Sequence, residues 1–294
     1  MLAQKFSIRE EFPPVDYDRW RTAAEAMLKG ASIEQKLVTH TYEGIDLQPL
    51  YTRKDQSGDD SAGFPGLAPF VRGSTRLGAA IDGWDLRQEH AHPDLKVSNR
   101  AILDDLQGGV TSLLLKLDLA ARSGLDADAE LAANLAGRDG LTVYRVDDLD
   151  AVLADVDLNL IGTTVDGGAA FLPAAAMLIA LWKRRGCALD QVRGAFHADP
   201  LGVLARDGRL HMTPSDALGQ MVDLAHWTSQ NLPNVTSIRV DASPYHYGGA
   251  TAAQDIAFSV ATGVEYLRAL TAAGMDIESA ARQIVFDFSV GTHH

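Results

Sequence analysis

The sequence predicts an α/β fold: a (β/α)8 TIM-type barrel, incomplete at its C-terminus, preceded by an N-terminal helical and extended arm. Three observations carry this. From about residue 67 short apolar, β-branched runs alternate with amphipathic stretches, the rhythm of β-α units around a parallel sheet. The chain has 294 residues, enough for one large domain of the barrel type. Neither G-x-G-x-x-G nor G-x-x-x-x-G-K-[ST] follows the first expected strand, which counts against a nucleotide-binding open sheet.

Residues 1–66 read as arm and linker, and 67–294 as the barrel domain. In "YDRWRTAAEAMLKG", Trp20, Ala23, Ala24, Met27 and Leu28 recur at helical spacing and Gly30 is a fitting stop. "KLVTHTYEGIDLQPLYT" reads as extended, and "RKDQSGDDSAGFPGLAP" has the composition of a loop. The expected strands are "LAPFVRG" at 67–73, "VTSLLLKLD" at 110–118, "VDLNLIG" at 156–162, "QVRGAFHAD" at 191–199, "TSIRVDASPYH" at 236–246 and "QIVFDFSVG" at 283–291. The helices expected among them include "SNRAILDDLQGG", the Ala-rich "DADAELAANLAGRDG", "AAFLPAAAMLIALWKRRG" and "SDALGQMVDLAHWTSQN". Six strands are two short of a closed barrel, so the edges are expected to drive self-association or to be completed by residues beyond 294, about 100 of them for two more units.

Composition narrows the function. The net charge is −13, and basic residues cluster only at Lys183-Arg184-Arg185, which argues against a nucleic-acid partner. No apolar run of about 18 residues suggests a membrane span. The N-terminal segment does not read as a signal peptide, and the single cysteine, Cys187, fits a reducing cytoplasm.

Candidate chemistry gathers at strand ends, the active face of barrel folds. His246 follows the strand "TSIRVDAS", where it is either an acid-base group or a histidine packed beneath a loop. Gly248 and Gly249 allow close approach of a ligand, or serve a tight turn. Arg72, at the end of the first expected strand, and Arg87 could each clamp an anion. "EHAH" at 89–92 offers two histidines on a loop, read as surface residues rather than a metal site, and Cys187 reads as lying on a surface turn. No G-x-S-x-G elbow is present, and His293 and His294 carry no functional weight.

Four stretches in order resemble the methylmalonyl-CoA mutase family of adenosylcobalamin-dependent isomerases. They are "W...AAEAMLKG...KLVTHTYEGIDLQPLYT", "PFVRG...GWDLRQ", "DASPYHYGGATA...VATGVEYLRAL" and "GMDIESAARQIVFDFSVG". The resemblance spans nearly the whole chain from about residue 20. It implies a barrel threaded by a CoA ester and covered by a cobalamin domain bearing D-x-H-x-x-G, a motif missing from this sequence. The cofactor supplies radicals by cobalt-carbon homolysis while the protein positions substrate and excludes water.

On the same resemblance, His246 matches the family's catalytic Y-H histidine, with Tyr245 beside it and Gly248 and Gly249 toward the cofactor, and Arg72 matches the substrate Arg of F-x-R-G. The family's Tyr between that strand and a W-x-x-R-Q helix falls on Ala79; His197 of "FHAD" replaces a substrate-contacting Gln; Arg206 is a shifted candidate for the Arg after it. The Y-H loop is two residues shorter than the catalytic form. These departures imply the small, non-catalytic subunit of a heterodimeric mutase, partnered by a catalytic large subunit, with His246 as a remnant. This chain alone is then not catalytically competent. Two other readings remain open: a barrel subunit acting on another branched acyl-CoA with a separate cobalamin-binding protein, and a CoA-binding barrel without chemistry.

Overall fold

In the computed structural model, which describes residues 15–56, 62–78 and 83–291, the chain divides into two compact units, Met1–Gly83 and Trp84–His294. In the first, α1 (Tyr17–Met27) starts where the Asp16 side chain accepts from Arg19 N, and α2 (Ile33–Lys36) where Ser32 accepts from Gln35 N. The extended reading of 36–52 resolves into a short antiparallel hairpin, β1 (Thr39–His40) with β2 (Asp46–Leu47), turning at Gly44, whose φ of +77° suits glycine. Ile33 is the one buried apolar side chain among the described residues of this unit.

The second unit is built on one six-stranded parallel sheet. Its strands are β3 (Arg87–His90), β4 (Ser112–Lys116), β5 (Gly162–Asp166), β6 (Gly194–Ala198), β7 (Val235–Asp241) and β8 (Ile284–Asp287), in that spatial order. Sequential order with helical crossovers is barrel topology, although β3 and β8 are edges among the described residues and no closed barrel forms. The crossovers include α3 (Leu95–Gln107), α4 (Leu119–Arg122), α5 (Val146–Val152), α6 (Phe171–Arg184), α7 (Pro200–Asp207), α8 (Pro214–Asn231), α9 (Ser243–Tyr247), α10 (Ala252–Ala272) and α11 (Ile277–Arg282). No helix among the described residues is long and apolar enough to cross a membrane.

Period-2 alternation gives the sheet two faces. Leu113, Leu115, Val165, Ile238 and Val240 bury against Phe171, Leu178 and Trp182 of α6 and neighbouring helices, forming the core. Leu114, Lys116, Asp166, Arg239, Asp241 and Asp287 line the other face.

Four expectations are corrected. "LAPFVRG" is a series of turns, and the first strand of this sheet is instead "RQEH", whose Arg87 and Gln88 were expected in a helix and whose Glu89 and His90 on a loop, because Arg87 to His90 pair in parallel with Ser112 to Leu115. The strand expected at 156–162 lies at 162–166, where Thr163, Thr164 and Val165 supply the β-branched run, while 157–161 turns on itself through Leu160 N and Ile161 N bonding to Asp157 O. The Ala-rich 126–140 is mostly turns with a 3-10 segment at Glu130–Ala132: tertiary bonds from Gly137 N to Asp118 and from Lys116 and Arg122 to Asp139 override helix propensity. Cys187 is buried rather than on a surface turn.

Candidate functional site

The C-terminal strand ends converge on a cavity of about 580 Å³. Glu89 of edge strand β3 and Asp287 of edge strand β8 both line it with Asp166 of the central β5, so the sheet curls toward a barrel interior. A second cavity of about 380 Å³ lies toward the strand starts, bounded by Arg87 and Thr236.

Arg239 dominates the electrostatics. Its Nη2 lies 3.1 Å from Asp166 Oδ2 and 3.5 Å from Asp241 Oδ2, and its Nη1 lies 3.7 Å from Asp287 Oδ2. Burial alone would raise the Asp166 carboxyl, but Arg239 overrides it and holds the group far below the usual carboxylate range. Burial likewise opposes the Arg239 charge, and Asp166 and Asp241 more than restore it, raising its pKa.

His197 reaches this interior through a backbone irregularity. The register of β6 against β7 shifts between Ala195 and Ala198, and His197 itself has φ +49°, a left-handed geometry that a β-bulge uses to redirect a side chain. It is buried, its Nδ1 has no partner, and burial with Arg239 pushes its pKa down to about 3, so it is neutral near pH 7. Next to it, Asp199 is raised to about 6 by burial, against the pull of Tyr266 Oη, which donates to it at 2.5 Å, and of Asp241 N at 2.9 Å.

The expected site residues separate. Arg206 does line the larger cavity, with Nε 3.0 Å from Asp207 and Nη1 4.0 Å from Asp241. His246 lies on α9 and turns toward α10, its Nδ1 3.4 Å from Asp255 Oδ2, and 37% of its side chain is exposed. The cavity wall from this segment is Ser243, Pro244 and Tyr247. Tyr245 packs on Phe258, and its hydroxyl is 3.4 Å from Thr262 Oγ1. Gly248 caps α9, and Gly249 needs its φ of +89° and has open space about it.

Arg72 is exposed in a turn of the first unit, not at a strand end, because its segment makes no strand. Ala79, His293 and His294 lie outside the described residues. Of the "EHAH" segment, Glu89 lines the cavity and His90 is buried 3.7 Å from Asp105, which corrects the surface-loop reading for His90, while His92 is exposed. Among the described residues no group of three or more His, Cys, Asp or Glu could hold a metal ion.

Asp166, Arg239, Asp241 and Asp287 were not anticipated. The signal in the sequence is charge alternating with apolar residues along the strands, as in "RVD" and "FDF", which marks a polar face opposite an apolar one.

A curled parallel sheet flanked by helices, with charged residues at its C-terminal strand ends, defines a barrel-type α/β protein of the kind that houses substrates at that face. Residues 40–294 match the family model described as methylmalonyl-CoA mutase. The chain is 38% identical over 290 residues to the methylmalonyl-CoA mutase small subunit of Streptomyces virginiae, covering 96% of this chain and 42% of that protein. It is 31% identical over 294 residues to the methylmalonyl-CoA mutase small subunit of Propionibacterium freudenreichii subsp. shermanii, covering 95% and 41%. To the methylmalonyl-CoA mutase of Escherichia coli (strain K12) it is 31% identical over 259 residues, covering 87% and 36%. The chain belongs to the methylmalonyl-CoA mutase family and spans about two fifths of the length of these curated relatives.

Proposed function

We propose that this chain is barrel-domain sequence of a methylmalonyl-CoA mutase small subunit, which supports a catalytic large subunit in a cytoplasmic heterodimer that interconverts methylmalonyl-CoA and succinyl-CoA. The observation that carries the non-catalytic role is the placement of His246. The one acid-base group at the family's catalytic position leans on Asp255, and Tyr247 takes the cavity wall in its place. Two of the relatives above are themselves named small subunits, which supports the heterodimer.

Adenosylcobalamin is assigned at the level of the holoenzyme. The half-exposed His246 and the open space around Gly249 offer a surface for it, but this sequence has no D-x-H-x-x-G to ligate cobalt. The group, which supplies radicals when bound, would be held by other residues of the assembly. What this chain's residues do is orient and exclude. Arg239 and its carboxylates occupy the interior, and His197 stays neutral within it.

Co-expression with a large subunit of the family is the test. A stable complex, with succinyl-CoA formed only when both chains and adenosylcobalamin are present, is the expected result. Absence of any complex, or turnover by this chain without its partner, overturns the reading.

A further inference from the structure

The two cavities of the barrel interior share a wall made of Glu89, Leu114, Arg239 and Asp287. The larger opens among Ser243, Pro244 and Tyr247 beyond the strand ends, and the smaller reaches back to Arg87 and Thr236 at the strand starts. They therefore follow one another along the strand direction, and Arg239 stands with Glu89, Leu114 and Asp287 at the level where they adjoin. Its guanidinium spans from β7 to Asp166 on β5 on one side and Asp287 on β8 on the other.

We propose that Arg239 is a plug across the barrel interior, clamped by Asp166, Asp241 and Asp287, that divides it into two chambers and denies passage to an elongated thiol ester or its phosphopantetheine-like arm. This deepens the non-catalytic reading above by naming the residue that enforces it. Stability alone does not account for the arrangement, since a well-packed apolar side chain commonly replaces a buried ion pair without loss. Nor are hydrogen bonds fully optimised, because Arg239 Nε is buried without a partner. What the side chain supplies is length: a residue on one strand reaches carboxylates on strands to either side.

The test places a thiol in the smaller cavity, on the far side of Arg239 from the strand ends, with Val285→Cys, in a Cys187→Ser background of the full 294-residue chain. Two reagents are compared by mass spectrometry. Methyl methanethiosulfonate is small and reports that the thiol is reactive. Coenzyme A disulfide carries the long arm: the introduced thiolate attacks its S–S bond, forms a protein–CoA mixed disulfide and releases one CoA thiolate.

With Arg239 in place, the small reagent is expected to react and the CoA adduct to form slowly. Arg239→Ser with Asp166→Asn, which removes the plug without leaving Asp166 an unpaired charge, is expected to accelerate the CoA adduct at least tenfold. Arg239→Met with Asp166→Asn keeps the length and is expected to stay slow. Equal CoA-adduct rates in the Ser and Met variants overturn the proposal. So does rapid adduct formation with Arg239 present, an outcome that needs no Arg239 variant to fold. No arm requires a partner subunit, so failure here is distinguishable from failure of the heterodimer.

Discussion

The two faces of one sheet solve burial in opposite ways. On the helix side, Leu113, Leu115, Val165, Ile238 and Val240 are almost wholly excluded from solvent among aliphatic and aromatic neighbours. On the concave side, the same strands present Lys116, Asp166, Arg239 and Asp241. The helix side is held by transfer of apolar area from water, which is tolerant of detail and roughly additive. The concave side is held by mutual compensation, so each charge depends on its partners being present. Barrel folds house ligands at the second face, and there the chain sets ion pairs around a cavity.

The comparison predicts unequal penalties. The largest effect is expected from Arg239→Ala alone, which strands the buried Asp166 carboxylate and should cost about 3–5 kcal/mol in urea denaturation. Adding Asp166→Asn should recover much of that loss. A cost under about 1 kcal/mol for the single variant would show that the network is solvated and that the two faces differ less than the geometry implies.

On the apolar face, Leu115→Ala should cost about 2–5 kcal/mol, and no second substitution on the concave side should rescue it. Recovery by Asp166→Asn would mean that the two faces are coupled rather than independent.

Protonation separates the faces more finely. His197 has a folded pKa of about 3 against an ordinary 6.5, so the folded state binds fewer protons between those values. Its contribution is fully present above about pH 6.5 and is lost as pH falls toward 3. Asp199, raised to about 6 from 3.8, works in the other sense: its neutral form is favoured in the fold, so stability from it grows as pH falls from 6 to 4. The two slopes oppose each other in the parent. The difference in unfolding free energy between parent and His197→Gln isolates the histidine, and should change by about 1.4 kcal/mol per pH unit between pH 6.5 and 3. A difference that is flat with pH would mean that His197 is hydrated in solution.

The smallest effect is local. Thr251 accepts from Gln254 N and Gln254 returns a bond to Thr251 N, a capping box that starts α10. Thr251→Ala should cost about 1 kcal/mol by thermal or chemical denaturation. A much larger loss would mean that the α9 to α10 turn, which follows His246 and carries Gly249, anchors the concave side as well.

Legibility followed the same division. Helices α6, α8 and α10 stand out because apolar periodicity over many residues survives any tertiary context, and "SLLLK" and "SIRVD" because strand runs are short, apolar and β-branched. "RQEH" carries none of that signal: four polar residues at a sheet edge become a strand only because β4 offers them partners. "LAPFVRG" carries the signal without the partners and remains turns. Among site residues, Arg206, a shifted candidate by the resemblance, lines the larger cavity, whereas Arg72 lies in a turn because its segment makes no strand.

By itself, then, the sequence determined the class of fold, the alternation that sends Leu113 and Leu115 one way and Leu114 and Lys116 the other, and membership in a family, because these rest on local periodicity and on the order of residues along the chain. Tertiary structure alone decided that Arg239 meets Asp166 across 73 positions of sequence, that a bulge turns His197 inward, and that His246 turns toward Asp255. Those outcomes depend on which strands become neighbours and on how burial and Coulomb attraction balance between groups far apart in the chain, information that no local window contains.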